Sequence, residues 1–276
     1  MNFTFTEEQR LLEDTVRKFV ARDYNFEKRN SIIASHSGWS RDVWRTFAEI
    51  GLLALNIPEE HGGLSAGPVE TMLVMNGLGH GLVVEPYIGS AVLATCLIRL
   101  AGDSAAQFEL LPSLATGESI AAVAHYEPNS RYDLNHVETR ATRSGADYRL
   151  SGKKTGVLYG GAADVLLVSA RTSGSANEEK GISLFAIKRD APGVTVKDYP
   201  TLDEQRQAHI ELRDVAVPAS SRLSEEGGAF AAIEQAFDIA LAALCAEAVG
   251  AMKAVLDSTV EYLRTRRQFG QPIGRF

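Results

Sequence analysis

Residues 224–276, SEEGGAFAAIEQAFDIALAALCAEAVGAMKAVLDSTVEYLRTRRQFGQPIGRF, decide the fold, because they predict one long helix. From Ile239 to Met252 the only charged residue is Glu247, so the helix is apolar on every face. Such a helix has to be enclosed by other helices rather than lie on a surface. Its end, residues 264–270, supplies cations, an aromatic ring and a helix-stopping glycine, a combination suited to holding an anion.

The length and charge of the chain limit the possible classes of function. With 276 residues the chain exceeds the usual size of one hydrophobic core, so we expect two or three packed units. The formal net charge of -7 argues against a nucleic-acid or anionic-membrane partner, because either needs a broad basic face. The first ten residues, MNFTFTEEQR, do not resemble a signal peptide, and no uncharged run is long enough to span a bilayer. We therefore expect a cytoplasmic protein without membrane insertion.

The cysteines and histidines show no pattern of metal ligands. Cys96 and Cys245 each lie in an apolar helical context, so we expect both to be reduced residues of the core. The six histidines are scattered without ligand spacing. The sequence therefore predicts no metal site.

The chain before residue 119 has the pattern of helices. Thr6 followed by Gln9 is a capping box, and Ser40 begins a second helix that should stop at Gly51. After a loop rich in Gly and Pro, further apolar helices follow, and the last of them should end at Pro112. We expect residues 1–118 to form a helical domain.

The pattern changes over residues 119–220. Short runs alternate apolar and polar residues and are separated by Ser-Gly, Gly-Gly and Ala-Pro-Gly turns, which indicates a small β domain. The polar segment 172–181 should be a loop between strands. Because the helical pattern returns over residues 221–276, the sequence predicts an α+β protein of three parts.

Several segments resemble the acyl-CoA dehydrogenase family. The segments are GLLALNIPEEHGG (51–63), LLPSLATGE (110–118), VAVP (215–218) and YLRTRRQFGQPIGRF (262–276). SGWSRDVWRTFAEIGLLAL (37–55) and AGPVETMLVM (66–75) are similar to the small-subunit branch of pimeloyl-CoA-type dehydrogenases, which work as hetero-oligomers. Together these segments cover positions along the whole chain.

The resemblance implies a fold, a cofactor and a reaction. The fold is an N-terminal helical domain, a middle β domain and a C-terminal helical bundle, of which this sequence contains only the first part. The cofactor is FAD, the substrate is an acyl-CoA thioester and the reaction is α,β-desaturation. Since a thioester α proton is only weakly acidic, the carboxylate base needs a raised pKa and the carbonyl needs hydrogen-bond donors.

Two segments of the β domain resemble the family's flavin-binding motifs. Residues 126–133 are similar to a motif in which Thr-Glu-Pro is followed by Gly-Ser-Asp, and residues 154–160 to one with a tryptophan and a threonine that face the flavin. At the four flavin-facing positions this chain has other residues. These residues are Tyr126, Tyr132, Gly156 and Leu158.

The third flavin motif of the family resembles residues 266–270. The resemblance implies that Arg266 and Phe269, with Gln268 between them, reach the pyrophosphate and the adenine of the FAD in a neighbouring subunit. Alternatively, Arg264, Arg266 and Arg267 only balance the negative end of the helix dipole.

No residue of this sequence matches the family's catalytic base. In some members the base is a glutamate on the long helix, and here Ala240 and Leu241 occupy that Glu-Arg position; in other members the base lies further along the chain than Phe276. Glu247 is an independent candidate, because a carboxylate set among apolar residues has a raised pKa if no cation pairs with it. Its alternative role is that of a buried carboxylate paired with a cation from another helix.

These observations leave three hypotheses. The first is a subunit of an FAD-dependent acyl-CoA dehydrogenase that assembles with a second, related chain and shares FAD sites with it. The second is a self-sufficient homo-oligomeric dehydrogenase whose base lies beyond residue 276. The third is a structural subunit without catalytic activity.

Overall fold

A computed structural model describes residues 4–276 as two compact units. Residues 1–3, at the start of the segment considered above for a signal peptide, lie outside the described residues. The first unit comprises the described part of Met1–Ser31, together with Pro68–Val83 and Ala242–Phe276. The second unit comprises Ile32–Gly67 and Val84–Leu241 and contains the β-sheet.

Seven α-helices are found in the described chain. They are α1 (Glu7–Asp23), α2 (Phe26–Ile33), α3 (Arg41–Glu49), α4 (Pro68–His80), α5 (Thr95–Ala101), α6 (Ser104–Ala115) and α7 (Phe230–Thr265). Thr6 and Gln9 form the expected capping box of α1, and Ser40 caps α3. The sequence patterns thus located the starts of both helices correctly.

Three features of the helices differ from the sequence expectations. Helix α2 was not predicted, and the segment Tyr87–Ala94 is a π-helix that continues into α5 rather than a regular α-helix. Pro112 does not end α6, which runs on to Ala115. The buried side chains of Leu111 and Leu114, on either side of the proline, hold this last turn against the core and offset the lost backbone hydrogen bond.

Helices α1, α4 and the second half of α7 pack within the first unit at glycine contacts. A Cβ atom added at Gly77 of α4 would lie 2.4 Å from Val16 Cγ1 of α1. A Cβ at Gly79 would lie 2.0 Å from the Glu247 carbonyl oxygen, and one at Gly250 of α7 would lie 1.9 Å from the Asn76 carbonyl oxygen. The backbones of α4 and α7 therefore touch, which only glycine permits at these positions.

The strands of the second unit form one seven-stranded sheet. They are β1 (Ala121–Ala124), β2 (Arg140–Ser144), β3 (Asp147–Leu158), β4 (Val165–Arg171), β5 (Ile182–Lys188), β6 (Val194–Pro200) and β7 (Arg206–Val217). Their order is β1-β4-β2-β3-β7-β6, with β5 paired to β4. The pairs β1–β4 and β2–β4 are parallel and the others are antiparallel. The loop over residues 172–181 joins β4 to β5, as the sequence predicted.

Strand β3 alternates buried and exposed residues from Asp147 to Lys154, as expected for a strand with one face in a core. Its pairing with β7 shifts register between Lys154 and Val157. Gly156, inside this bulge, has φ +61°, a left-handed conformation that favours glycine. The bulge therefore sits on the segment that resembles the second flavin motif.

Helix α7 is not enclosed on every face within this chain, contrary to the sequence expectation. Its buried positions recur every three or four residues along one face (Ile233, Ala236, Ala240, Ala243, Ala246 and Gly250). On the opposite face Met252 is 62% and Leu256 is 56% exposed, and Cys245 is exposed rather than part of the core. By length and composition alone α7 could cross a membrane, but the core helices of many water-soluble proteins have the same property.

Candidate cofactor-binding site

A buried ion pair joins the two segments that resemble flavin motifs. Lys154 of β3 is 1% exposed, and its Nζ donates to Glu127 Oε1 at 2.7 Å, to the His125 carbonyl oxygen at 3.0 Å and to Ser169 Oγ at 3.0 Å. All three ammonium protons are therefore used. The Glu127 carboxylate also accepts from the backbone N–H groups of Glu138 (2.7 Å) and Thr139 (3.0 Å). This network connects β1, β3 and β4 with the loop before β2.

The charges of this pair are set by burial and by mutual attraction. Burial lowers the pKa of Lys154 to about 8, although the charge of Glu127 opposes the change. Burial raises the pKa of Glu127, but the charge and hydrogen bond of Lys154, with the hydrogen bonds from Thr139, hold it below its ordinary value. Both groups are therefore ionised at neutral pH. Sequence reasoning assigned Lys154 no role, although a lysine at an inward position of an alternating strand was a usable signal.

Arg171, at the end of β4, is a second buried cation that the sequence did not reveal. Its guanidinium donates to the backbone carbonyl oxygens of six residues on two loops, at distances from 2.9 to 3.5 Å (Asn135, Val137, Ser173, Ala176, Glu178 and Lys180). One of these loops follows the segment 126–133. Arg171 therefore holds the chain after residue 133 in place through bonds to backbone carbonyl groups.

His125 lies between the ion pair and a group of aromatic rings. Its Nδ1 is 2.9 Å from Ser169 Oγ, and its ring centroid is 5.7 Å from that of Tyr126 and 5.4 Å from that of Phe237 on α7. Burial and the neighbouring charge of Lys154 lower the pKa of His125 to about 3. The imidazole is therefore neutral and acts as a packed polar residue rather than as an acid–base group.

The structure brings together two of the site residues named from the sequence, Tyr126 and Tyr132. Their rings meet edge to face at 6.4 Å, and Tyr126 also packs on Phe237 at 5.3 Å. Burial raises the pKa of Tyr126, so its hydroxyl stays protonated. Tyr132 is 88% exposed and follows Arg131, whose φ of +49° is left-handed. The long side chains of Arg131 and Tyr132 thus stand where the family has glycine and serine.

Gly156 and Leu158 offer no hydrogen-bond donor from their side chains. The nearest described atom to a Cβ added at Gly156 is Gln207 Oε1 at 3.7 Å, so there is open space beside the bulge. Leu158 packs on the π-helix at Gly89, where an added Cβ would lie 3.2 Å from the Leu158 Cβ. The next residue, Tyr159, is buried in a left-handed conformation and donates its hydroxyl to the Val84 carbonyl oxygen.

This surface does not fit FAD in the way that the resemblance implies. A flavin ring needs polar donors, and a pyrophosphate needs the backbone to come close. Of the four flavin-facing positions, Gly156 and Leu158 carry no side-chain donor, and the donors of Tyr126 and Tyr132 are phenol groups on bulky rings. Arg131 and Tyr132 also hinder approach to the backbone. A tryptophan at position 156 would also be strained by the left-handed backbone. We therefore derive no reaction step at this surface.

The third motif forms the exposed tip of α7. Strands β8 (Arg267–Gln268) and β9 (Gln271–Pro272) make a short hairpin. At its turn Phe269 is 93% exposed and meets Phe276 edge to face at 6.2 Å. Arg267 Nη2 donates to the Gly270 carbonyl oxygen at 3.1 Å, which ties this arginine to the turn. Arg266, Gln268 and Phe269 are all exposed, so the tip presents a cation, an amide and an aromatic ring to the surroundings.

Glu247 lies on α7 in the first unit and is half-buried. Its backbone carbonyl is the group that contacts Gly79 of α4. The residues at the family's base position, Ala240 and Leu241, are buried and exposed respectively. Among residues 4–276, no group of three or more His, Cys, Asp and Glu residues could hold a metal ion.

Comparison with family models gives three consecutive matches along the chain. Residues 6–118 match the acyl-CoA dehydrogenase N-terminal domain, residues 122–215 the middle domain and residues 227–276 the C-terminal domain. The α+β fold predicted from the sequence and the resemblance stated above are thereby confirmed.

Individual relatives and solved structures agree with these matches. Mitochondrial isovaleryl-CoA dehydrogenase of Pongo abelii is 33% identical over 98% of this chain and 66% of its own length. Acyl-CoA dehydrogenase FadE27 of Mycobacterium tuberculosis is 31% identical over 100% of this chain and 70% of its own length. The chain thus spans about two thirds of the length of these relatives.

Two solved structures are similar over the whole of this chain. The ChsE4-ChsE5 complex from Mycobacterium tuberculosis matches with a TM-score of 0.88 and 30% identity, over 100% of this chain and 72% of that one. The glutaryl-coenzyme A dehydrogenase glutaryl-CoA complex matches with a TM-score of 0.91 and 26% identity, over 100% of this chain and 71% of that one.

Proposed function

Because the chain belongs to the acyl-CoA dehydrogenase family, we propose that it is a subunit of an FAD-dependent acyl-CoA dehydrogenase that assembles with a second, related chain. One observation carries the proposal. The tip of α7 keeps Arg266 and Phe269, which in the family reach a neighbour's FAD, whereas this chain's own flavin-facing surface has the bulky ring of Tyr126 and the apolar side chain of Leu158 where the family has threonines.

The proposed roles of Arg266 and Phe269 follow from the chemistry of their side chains. The guanidinium of Arg266 is a planar fork that matches a pyrophosphate, and the exposed ring of Phe269 offers a stacking face to an adenine. FAD bound to the β domain of the second chain would supply the hydride acceptor for α,β-desaturation of an acyl-CoA thioester. Arg266 and Phe269 of this chain would hold the nucleotide end of that FAD.

A complex of two different chains is also consistent with the similarity to the ChsE4-ChsE5 complex. That structure contains two chains, ChsE4 and ChsE5, and the match covers 100% of the chain described here and 72% of the matched chain. We extend the proposal to a cytoplasmic hetero-oligomer, without a nucleic-acid partner and without membrane insertion.

Flavin binding by the purified chain tests the proposal. The wild-type chain alone should be colourless and should not bind added FAD, measured by quenching of flavin fluorescence. A triple variant, Tyr126→Thr with Tyr132→Ser and Leu158→Thr, should gain FAD binding. It gives position 158 a hydroxyl donor and replaces two bulky rings by short hydroxyl side chains, so that a pyrophosphate can approach the backbone. Gly156 is left unchanged because its left-handed conformation suits only glycine.

The contribution of the tip is tested in the same triple variant. Adding Arg266→Ala should weaken FAD binding about tenfold, the effect of losing a charge-assisted hydrogen bond. The matched control is Arg264→Ala, which removes an exposed cation two residues earlier, in the last turn of α7, and should leave FAD binding unchanged. Equal losses in both variants would support the alternative that these arginines only balance the helix dipole.

The other two hypotheses predict different results. A wild-type chain that is yellow and turns over acyl-CoA on its own supports the self-sufficient dehydrogenase. In that case Glu247→Gln tests the candidate base, and an unchanged rate with unchanged folding removes Glu247 from consideration. Failure of both the wild-type chain and the triple variant to bind FAD supports the structural subunit.

A further inference from the structure

A groove of about 340 Å³ lies on the outer face of three adjacent strands, β3, β7 and β6. The register of these strands, with a hydrogen bond of 2.8 Å between Thr155 and His209, arranges the outward side chains in two rows. One row is Lys153, Glu211 and Thr195, and the other is Thr155, His209 and Lys197. Lys153 and Lys197 therefore occupy opposite corners of the groove.

The two lysines are separate points of positive charge. Adjacent strands lie about 4.8 Å apart and alternate residues of one strand about 6.8 Å apart. Lys153 and Lys197 are two strands and one row apart, so their Cα atoms are separated by about 12 Å. Lys153 Nζ also lies 3.9 Å from Glu211 Oε1, on its own side of the groove. This spacing favours an elongated ligand with separate negative groups over a small anion of concentrated charge.

The groove carries more positive than negative charge. Glu211 is the one carboxylate among the described lining residues, and Arg213 Nη2 donates to its Oε2 at 2.9 Å. The hydrogen bond and charge of Arg213, with the charges of Lys153 and Lys197, lower the pKa of Glu211 although burial opposes this. Because Arg213 already balances Glu211, the charges of Lys153 and Lys197 are available to a ligand.

Polar groups with fixed positions lie between the two charges. The hydrogen bond to Thr155 and the contact with the ring of Tyr199, at a centroid distance of 4.7 Å, hold the imidazole of His209. The side chain of Lys153 is 68% exposed, so its ammonium can turn towards a ligand. Lys154 also borders the groove, but its three ammonium protons are used within the buried ion pair. The groove thus offers exposed cations at two corners and hydroxyl and imidazole groups between them.

We propose that this groove docks an extended acidic segment of a partner protein. Side chains on one face of an extended segment recur about every 6.8 Å, so carboxylates four residues apart span about 14 Å and can meet both lysines. The backbone between them can form hydrogen bonds with the hydroxyl and imidazole groups of the lining. Because the whole chain has a net charge of -7, a local surplus of positive charge also steers an acidic partner to this face. Neither Arg266 nor Phe269 takes part in this docking, which is therefore independent of the proposed function.

Binding of fluorescently labelled peptides tests the docking, with fluorescence anisotropy as the readout. The probe is a short peptide of serine, threonine and valine with two glutamates four residues apart, and the control peptide has the same composition with the two glutamates adjacent. The spaced peptide should bind the wild-type chain about tenfold more tightly, because only this peptide meets both lysines. Lys153→Gln and Lys197→Gln should each abolish this advantage, and Glu211→Gln should strengthen binding because it removes the competing carboxylate.

The matched control variant is Lys188→Gln, which changes an exposed lysine of β5, a strand that pairs with β4 and does not line the groove; it should leave binding unchanged. Equal binding of the two peptides, or equal weakening in Lys188→Gln, overturns the proposal. Displacement of the spaced peptide by an equal concentration of inorganic pyrophosphate also overturns it, since that result indicates a compact anion site. Self-association of the wild-type chain that Lys197→Gln abolishes would instead assign the groove to a second copy. All of these measurements are made without flavin, so their failure is distinct from a failure of the proposed function.

Discussion

The interior of the β-sheet unit and the second half of α7 reverse the usual relation between polarity and burial. In the sheet unit Lys154, Glu127 and Arg171 are buried, whereas on α7 the large apolar residues Met252 and Leu256 are exposed. The buried charges are tolerated because nearly every donor has an acceptor. The comparison teaches that completed hydrogen bonds, rather than residue polarity, decide which side chains this chain can bury.

The exposed face of α7 shows that apolar residues are buried only where other parts of the chain cover them. From Ile239 to Met252 the helix is apolar all round apart from Glu247, yet the described chain covers only the face with Ala243, Ala246 and Gly250. Burial stabilises an apolar side chain, but its hydrophobicity does not supply the surface that would cover it. An exposed apolar face of this kind is typical of an interaction surface.

The largest effect should come from breaking the buried ion pair. Lys154→Met leaves the Glu127 carboxylate buried without its cation, and we expect a loss of about 3–5 kcal/mol in the free energy of unfolding, measured with urea. The double variant Lys154→Met with Glu127→Gln should recover much of this loss, because no uncompensated charge remains. The control is Lys153→Met on the exposed face of β3, which should change stability by less than about 0.5 kcal/mol. A small loss in Lys154→Met would contradict the comparison.

The next effect concerns the covered face of α7. Gly250→Ala places a Cβ atom 1.9 Å from the Asn76 carbonyl oxygen, so the backbones of α4 and α7 must move apart. We expect a loss of about 1–3 kcal/mol in the free energy of unfolding, typical of overpacking. Ala254→Gly, one turn later on the same helix, is a helix-propensity reference and should cost only about 1 kcal/mol. Equal unfolding free energies for Gly250→Ala and the wild type would show that α7 is not in backbone contact with α4.

The buried pair also predicts a dependence of stability on acid pH. The pKa of Glu127 in the folded chain lies below its ordinary value of 4.5, so its stabilising contribution is present above pH 4.5. As the pH falls through the folded pKa, the unfolded chain binds the proton first and that contribution is lost. Urea unfolding between pH 7 and pH 3 should therefore show a steeper decline for the wild type than for the Lys154→Met, Glu127→Gln double variant. Parallel declines would remove Glu127 as a source of acid sensitivity.

The smallest effect on stability should come from the exposed face of α7. Met252→Ser and Leu256→Ser remove apolar side chains that are already in contact with solvent, and each should change the free energy of unfolding by less than about 0.5 kcal/mol. The same variants should reduce self-association at high protein concentration, measured by light scattering, because they divide the apolar face. A loss of several kcal/mol in either variant would mean that the chain covers this face.

Sequence patterns were sufficient wherever the cause of a structure is local. The capping box of Thr6 and Gln9, the cap at Ser40 and the alternation along β3 depend on neighbouring residues, and each was located from the sequence. Pro112 shows the limit of local reasoning, because buried leucines from the same helix outweigh the break that a proline favours. For the candidate site, the sequence identified Tyr126 and Tyr132 but not the packing of Tyr126 on Phe237, more than a hundred residues away.

The sequence by itself determined the family, the order of helical and β parts, the long apolar helix and the tip with Arg266 and Phe269. Each of these is a pattern of residue types at short spacing, which backbone geometry translates directly into local structure. Only the tertiary structure decided that Lys154 and Arg171 are buried and that one face of α7 is open. Burial depends on whether distant residues supply acceptors or covering surface, and that information is carried by the packing of elements far apart in the chain.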